Sequence, residues 1–191
     1  MISGIVEKNR SYRKFHEEAE VSQETLKELV NLARLSGCGM NMQSLRYMLI
    51  TEKSEREKVY PYIKWAAFLK DWGGPKEGQR PSAFILLLKD TGKNSFVVLT
   101  DMGIACQSIL LGAVEKGLGG CIIGALDKDK LRDAFSLRGD LELHYVIAIG
   151  KPDQNIVIDE IELGQDTKYW VDKDGNHHVP KIRLEDIVIE K

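Results

Sequence analysis

The sequence predicts an α+β fold in which a mixed central sheet is flanked by helices. Three observations carry this prediction. Ala83-Phe84-Ile85-Leu86-Leu87-Leu88 is an unbroken apolar run, which suits a strand covered on both faces. Cys121-Ile122-Ile123 and Tyr145-Val146-Ile147-Ala148-Ile149 are shorter runs of the same kind. Segments of helical period lie between them, and strands alternating with helices point to a sheet sandwiched by helices.

Taken in order, residues 1–8 read as a short helix, followed by the basic segment Asn9-Arg10-Ser11-Tyr12-Arg13-Lys14-Phe15. Ser22 can cap a second helix, in which Leu26, Leu29, Val30 and Ala33 fall at helical spacing. That helix ends near Ser36-Gly37-Cys38-Gly39, where two glycines break the pattern. Residues 46–51 read as a strand, 54–70 as a helix interrupted at Pro61, and 72–81 as a loop rich in turn residues. From Met102 to Val114 there is no charge, and the apolar residues of segment 96–116 lie all around the predicted helix. Such a helix is expected to be buried on every side. It falls short of the roughly 20 clean apolar residues of a bilayer span, being interrupted by Asp101, Gln107, Ser108 and two glycines. In a single domain of residues 1–191, a helix of this kind suggests the interface of an obligate dimer as much as a monomer core.

Composition narrows the function. With a net charge of −2 and a pI near 6.1, there is no bulk electrostatic attraction for nucleic acid. The first eight residues have no apolar core and no cleavage site, so no signal peptide is expected. Cys38, Cys106 and Cys121 are odd in number and lack metal-ligand spacing, which predicts free thiols in a reducing cytoplasm. His177 and His178 are adjacent; on a strand they face opposite ways and cannot close on one metal.

Three groups of residues could carry chemistry. Gly117-Leu118-Gly119-Gly120-Cys121-Ile122-Ile123-Gly124 superficially resembles a dinucleotide fingerprint. In such a motif the glycines follow a strand and open a helix. Here they end a helix and lead into a strand, so Gly117 reads as a helix C-cap. The strand exit at Ile123-Gly124 leaves room for a flat ligand to approach the backbone. The second group is cationic: Arg10, Arg13 and Lys14 near one end, Lys181 and Arg183 near the other. In an extended stretch Ser11 and Arg13 share a face, and Lys181 and Arg183 point the same way. Convergence of the two ends would imply a bound phosphate, because gathered cations repel unless an anion sits among them. The third is Cys38-Gly39-Met40-Asn41-Met42-Gln43, whose Asn and Gln side chains can pair with the edge of a heterocycle or simply form a turn.

In this order the motifs resemble the nitroreductase family of FMN enzymes. Arg10-Ser11-Tyr12-Arg13-Lys14-Phe15 is similar to its N-terminal R-S-x-R-x-F motif, and Asn41-x-Gln43 to its N-x-Q pair. The apolar helix ending in Gly-Leu-Gly-Gly before a strand and Gly124 resembles its central segment. Ala148-Ile149-Gly150-Lys151-Pro152 and Val179-Pro180-Lys181-Ile182-Arg183-Leu184-Glu185-Asp186 resemble the strand and basic motif that follow. The resemblance implies an intertwined homodimer with FMN at its interface. It also implies hydride transfer from NADH or NADPH through flavin N5 to a nitroarene, quinone, enone or similar acceptor. Arg10, Ser11 and Arg13 would hold the phosphate and ribityl chain, with Arg13 also near the pyrimidine end. Lys181 and Arg183 would close on the phosphate, and backbone at Ile123 and Gly124 would face N5. Cys38, Asn41 and Gln43 would come from the second subunit. Asn9 stands where the family often has a second arginine, and residues 52–82 match no functional element of it. No side-chain acid or base is expected.

Two rival readings are a thiol enzyme using Cys38, which lacks a histidine in any recognisable motif, and a non-catalytic flavin-binding module of the same fold.

Overall fold

The computed structural model describes residues 1–93 and 96–190. In chain order the elements begin α1 (Ile2–Lys8), β1 (Phe15–His16), α2 (Gln23–Leu35), β2 (Leu45–Ile50), α3 (Lys53–Val59) and β3 (Ala83–Asp90). They continue α4 (Val98–Glu115), β4 (Gly119–Ile123), α5 (Lys128–Ala134) and β5 (Leu141–Pro152). The chain ends with β6 (Ile156–Ile161), β7 (Trp170–Val171), β8 (His177–Ile182) and α6 (Leu184–Ile187).

β3 is buried from Ala83 to Leu88, as its apolar run requires. Its two faces feed two cores. Ala83, Ile85 and Leu87 pack with Leu26, Leu29, Met102, Cys106 and Ile109, beneath α2 and α4. Phe84, Leu86 and Leu88 pack with Val59, Ile63, Leu131 and Val146, beneath α3 and α5. Helices therefore cover both faces of the sheet, an α+β sandwich.

The strand order is β1-β5-β3-β2, with β4 also paired to β5. All the named ladders of this sheet are antiparallel, which corrects the expectation of a mixed central sheet. Its parallel element is the isolated bridge between Ser11 and Gly120. The physical reason is insertion: β3 and β4, joined through α4, run the same way, but β5 lies between them and opposes both. Strand–helix alternation sets direction and leaves the choice of neighbour open. Mixed pairing occurs instead in a second sheet, β6-β8-β7, where β6 and β8 are parallel and β7 opposes β8.

Local signals translate directly at several ends. Ser22 Oγ accepts from Thr25 N at 3.1 Å, capping α2. Gly117 has φ +72, and Leu118 N donates back to Ala113 O at 2.8 Å, closing α4 with a left-handed cap. Two expectations need correction. The helix read over 54–70 stops at Val59; Tyr60–Tyr62 forms a single 3-10 turn, and Ile63 bridges to Leu126. Pro61 supplies no N–H to continue the helix. In the single chain α4 is buried on one side only: Met102, Cys106 and Ile109 face the core, while Leu99 and Ile104 are exposed. By length and composition it is the one helix among the described residues that could cross a membrane.

Candidate functional site

The segment after α1 runs extended along the glycine-rich start of β4. Tyr12 N donates to Gly120 O at 3.0 Å, and Ser11 bridges to the same residue. Gly120 permits this closeness on its other side, since a Cβ there would stand 2.4 Å from Ala148 O. This pairing turns Arg13 inward. Its guanidinium is buried, with Nη1 donating to Ser11 O at 3.1 Å and meeting His177 Nε2 at 3.3 Å. The Tyr169 ring lies over it, 4.6 Å from guanidinium carbon to centroid. Among the described residues no carboxylate pairs with Arg13. A buried cation without a counter-ion is costly, and an anionic or electron-rich ligand relieves the cost.

Arg13 borders two cavities. One, of about 350 Å³, runs along Trp65 and Ala66 to Cys121, Ile122, Ile123 and Gly124 at the end of β4. Ile122 is exposed in it, and a Cβ at Gly124 would reach 3.3 Å from the Tyr145 ring. The cavity thus opens at the end of β4. Burial pushes the Cys121 thiol up, with Arg13 acting the other way, so Cys121 is not poised as a thiolate. The second cavity, of about 660 Å³, lies between Phe68, Trp72, Gln154 and Trp170.

The remaining expected site residues are distributed as follows. Arg10 Nη2 donates to Val6 O at 2.8 Å, and its buried Nε has no partner among the described residues. Cys38, Asn41 and Gln43 line a separate hollow of about 290 Å³ with Tyr47 and Asp101. There the buried Asp101 accepts from Gly39 N at 2.8 Å, and the Cys38 thiol lies 3.5 Å from its other oxygen. Met40, Asn41 and Gln43 hold φ of 51, 53 and 49, so this loop is a strained turn pinned by a carboxylate. No histidine meets Cys38 among the described hydrogen bonds, which removes the base that a thiol mechanism needs.

Within the single chain Lys181 and Arg183 lie apart from Arg13. Arg183 is taken up by Glu162 at 3.5 Å, Glu185 at 3.4 Å and Asp186 at 3.4 Å, and Lys181 is exposed. The reason is strand geometry. β8 passes Arg13 at His177, and Arg183 lies six residues further on, about 20 Å away along an extended chain.

Sequence reasoning missed Gln154, Tyr169 and His177. All three touch Arg13: Gln154 Oε1 accepts from Arg13 N at 3.0 Å, and the other two hold the guanidinium. The available signal was the alternation at His177-His178, which already placed one histidine inward. His177 is held near pKa 4, first by burial, then by Arg13 and His178. His178 faces the other way, 2.9 Å from Asp159 and 3.3 Å from Asp172, and stacks on Trp170 at 4.1 Å. The hydrogen bond to Asp159, with that to Asp172 after it, raises its pKa.

The two histidines titrate the second sheet from opposite sides. His177, depressed, contributes stability above the unfolded imidazole pKa of about 6.5 and loses it as pH falls. His178, raised, contributes below that value and loses it as pH rises through its folded pKa. Amide exchange protection of β8 is therefore expected to peak near pH ~6.5. Protection that rises steadily from acid to base would contradict this.

The nitroreductase family model matches residues 6–151. The chain belongs to the nitroreductase family. No curated protein sequence matches it. Among solved structures it is similar to an FMN-dependent nitroreductase of Clostridium difficile R20291, with 24% identity over 80% of this chain and 88% of that one, TM-score 0.64. A structure from Exiguobacterium sibiricum 255-15 in complex with FMN aligns at 20% identity over 81% and 89%, TM-score 0.65. A nitroreductase family protein of Streptococcus pneumoniae TIGR4 covers 100% of both chains at 13% identity and TM-score 0.70. At these identities the likeness establishes the fold. Within the family, Arg13 and β4 lie inside the matched region, whereas Gln154, Tyr169 and His177 lie beyond its end.

Proposed function

We propose that this nitroreductase-family chain is an FMN-dependent oxidoreductase. In this reading it is a cytoplasmic homodimer that takes hydride from NADH or NADPH and delivers it to a small acceptor such as a nitroarene, quinone or enone. The observation that carries the reading is the buried Arg13 guanidinium, without a carboxylate among the described residues, at one end of a cavity that leads to Gly124. Solved relatives described as FMN-dependent and as complexed with FMN support it.

The residues fit such a group. Arg10, with its orphaned Nε, and Ser11, which bridges to Gly120, would take the phosphate and ribityl chain. Arg13 would meet the pyrimidine edge. Backbone at Ile123 and Gly124 would face the ring near N5. When bound, FMN supplies the redox chemistry, accepting and donating hydride at N5. The protein's contribution is electrostatic and steric. Arg13 would be a fixed cation beside the edge where negative charge develops on reduction, and Trp65 and Ile122 line the cavity beside it. No side chain of the cavity is assigned as acid or base.

The dimer reading rests on apolar surface. α1 lies against α4, with Asn9 Nδ2 donating to Gln107 Oε1 at 3.2 Å. Ile2 and Val6 on α1, Leu99 and Ile104 on α4, and Met40 are all exposed, and a second copy of the chain would take them out of water. A second copy covering that surface would bring its own Cys38, Asn41 and Gln43 towards the flavin. The three free thiols accord with the cytoplasm.

The test is the visible spectrum of the purified protein, with chromatographic identification of released cofactor. About one FMN per subunit, with bleaching on addition of NADH or NADPH, is the expected result. A colourless protein that also refuses added FMN would overturn the flavin reading. Bound FMN that no nicotinamide donor reduces would favour the non-catalytic flavin-binding module.

A further inference from the structure

Arg is a donor only, so the 3.3 Å contact between Arg13 Nη1 and His177 Nε2 is a hydrogen bond only if Nε2 is unprotonated. The neutral ring then carries its proton on Nδ1, which is buried and without a partner among the described residues. Tyr169, its ring tilted against that of His177 with centroids 5.2 Å apart, covers the guanidinium from above. Tyr169 is held in turn by Phe68, whose ring lies 5.1 Å away and whose N–H donates to the phenolic oxygen at 3.3 Å. Gln154 fixes the Arg13 backbone. Three contacts to one arginine thus come from residues 154–177, a segment outside the region matched by the family model.

We propose that His177 is a positioning residue: its neutral Nε2, with Tyr169 over the guanidinium, locks Arg13 in the orientation that presents its free nitrogens to the flavin. This rests on the reading that Arg13 meets the pyrimidine edge of FMN. Of the five donors of the guanidinium, those on Nη2 and Nε make no protein hydrogen bond among the described residues, and they are what a locked Arg13 offers the ligand. Neutral His177 can do this, and imidazolium cannot, because two cations would meet at hydrogen-bond distance. The charged and titratable groups around it are Arg13 and Tyr169 on one side and His178, with Asp159 and Asp172, on the other. A cation held in place stabilises the reduced, anionic flavin more than one free to swing into solvent, so the lock raises the flavin potential.

Two measurements test this in the purified full-length protein. Nitrogen-15 NMR of the histidine rings is expected to show His177 neutral at pH ~7 with its proton on Nδ1. A proton on Nε2 would overturn the proposal whether or not flavin is bound. The second is the flavin midpoint potential of four proteins: wild type, His177→Leu, His177→Gln and His178→Leu. His177→Leu removes the acceptor and is expected to shift the two-electron equilibrium about tenfold towards oxidised flavin, about 30 mV lower. His177→Gln, which can place a carbonyl oxygen near the Nε2 position, is expected to restore most of it. His178→Leu disturbs the same sheet without touching Arg13, and is expected to destabilise the protein while leaving the potential in place. An unchanged potential in His177→Leu, or an equal shift in His178→Leu, would overturn the proposal. A wild-type protein that takes up no FMN refutes the flavin reading and the positioning role with it. In that case a proton on Nδ1 would still establish the contact with Arg13.

Discussion

Arg13→Ala is expected to give a folded protein that is purified without flavin. The guanidinium is a buried cation bordering the cavity of Ile122, Ile123 and Gly124, and two of its nitrogens make no hydrogen bond among the described residues. Each charge-assisted hydrogen bond lost is worth about 1.5–3 kcal/mol. Loss of two corresponds to a weakening of FMN binding by about a hundredfold or more. The change also strips Tyr169 and His177 of their partner, so a modest drop in thermal stability accompanies it. Fluorescence titration with FMN reads the affinity directly, and stoichiometric flavin in the purified variant would refute the assignment. Arg183→Ala is the informative comparison. Three carboxylates already neutralise that side chain, so its removal is expected to leave FMN content unchanged. Loss of flavin from it would mean that the C-terminal arm reaches the phosphate through a contact absent from the single chain.

The second large effect is expected at Gly120. A Cβ there would lie 2.4 Å from the carbonyl oxygen of Ala148 and 2.7 Å from Leu110 Cδ2. The side chain of Leu110 can give way; the carbonyl belongs to the β4–β5 ladder and cannot move without breaking it. Gly120→Val is therefore expected to cost at least about 3 kcal/mol, at the upper end of overpacking costs. For a chain of this length that is about 6–12 °C in Tm. Because Ser11 and Tyr12 pair with Gly120, flavin affinity should fall together with stability. Gly139→Val, where a Cβ meets nothing within 4 Å, serves as the control and is expected to change little. Equal melting of the two variants would show that the close approach at Gly120 does not constrain the sheet.

Local chemistry was legible where a few consecutive residues decide the outcome. The apolar run 83–88 suits a strand with both faces covered, and the two cores on its two faces are its consequence. Ser22 and Gly117 act through hydrogen bonds that span no more than five residues, so their capping roles follow from position. The alternation at His177-His178 already placed the two rings on opposite faces. The interruption read at Pro61 is real, but the helical period read beyond it does not resume as helix, because proline lacks the N–H the hydrogen-bond ladder needs.

Long-range convergence was another matter. That Arg13 is buried was not written in the basic segment, because burial depends on Gly120 drawing the strand inwards and on Tyr169 and His177 arriving from more than 150 residues away. The strand–helix alternation determined that β3 and β4 run the same way, but the insertion of β5 between them is a pairing choice no local pattern encodes. The two basic ends looked equivalent as composition. Arg183 meets three carboxylates where Arg13 meets none among the described residues, a difference that composition does not show. Sequence by itself determined the apolar core strands, the caps and the family-like motifs, since these follow from neighbours in the chain. Tertiary structure alone decided which cation is desolvated and what holds it, because the electrostatic cost of burial depends on groups that only folding brings together.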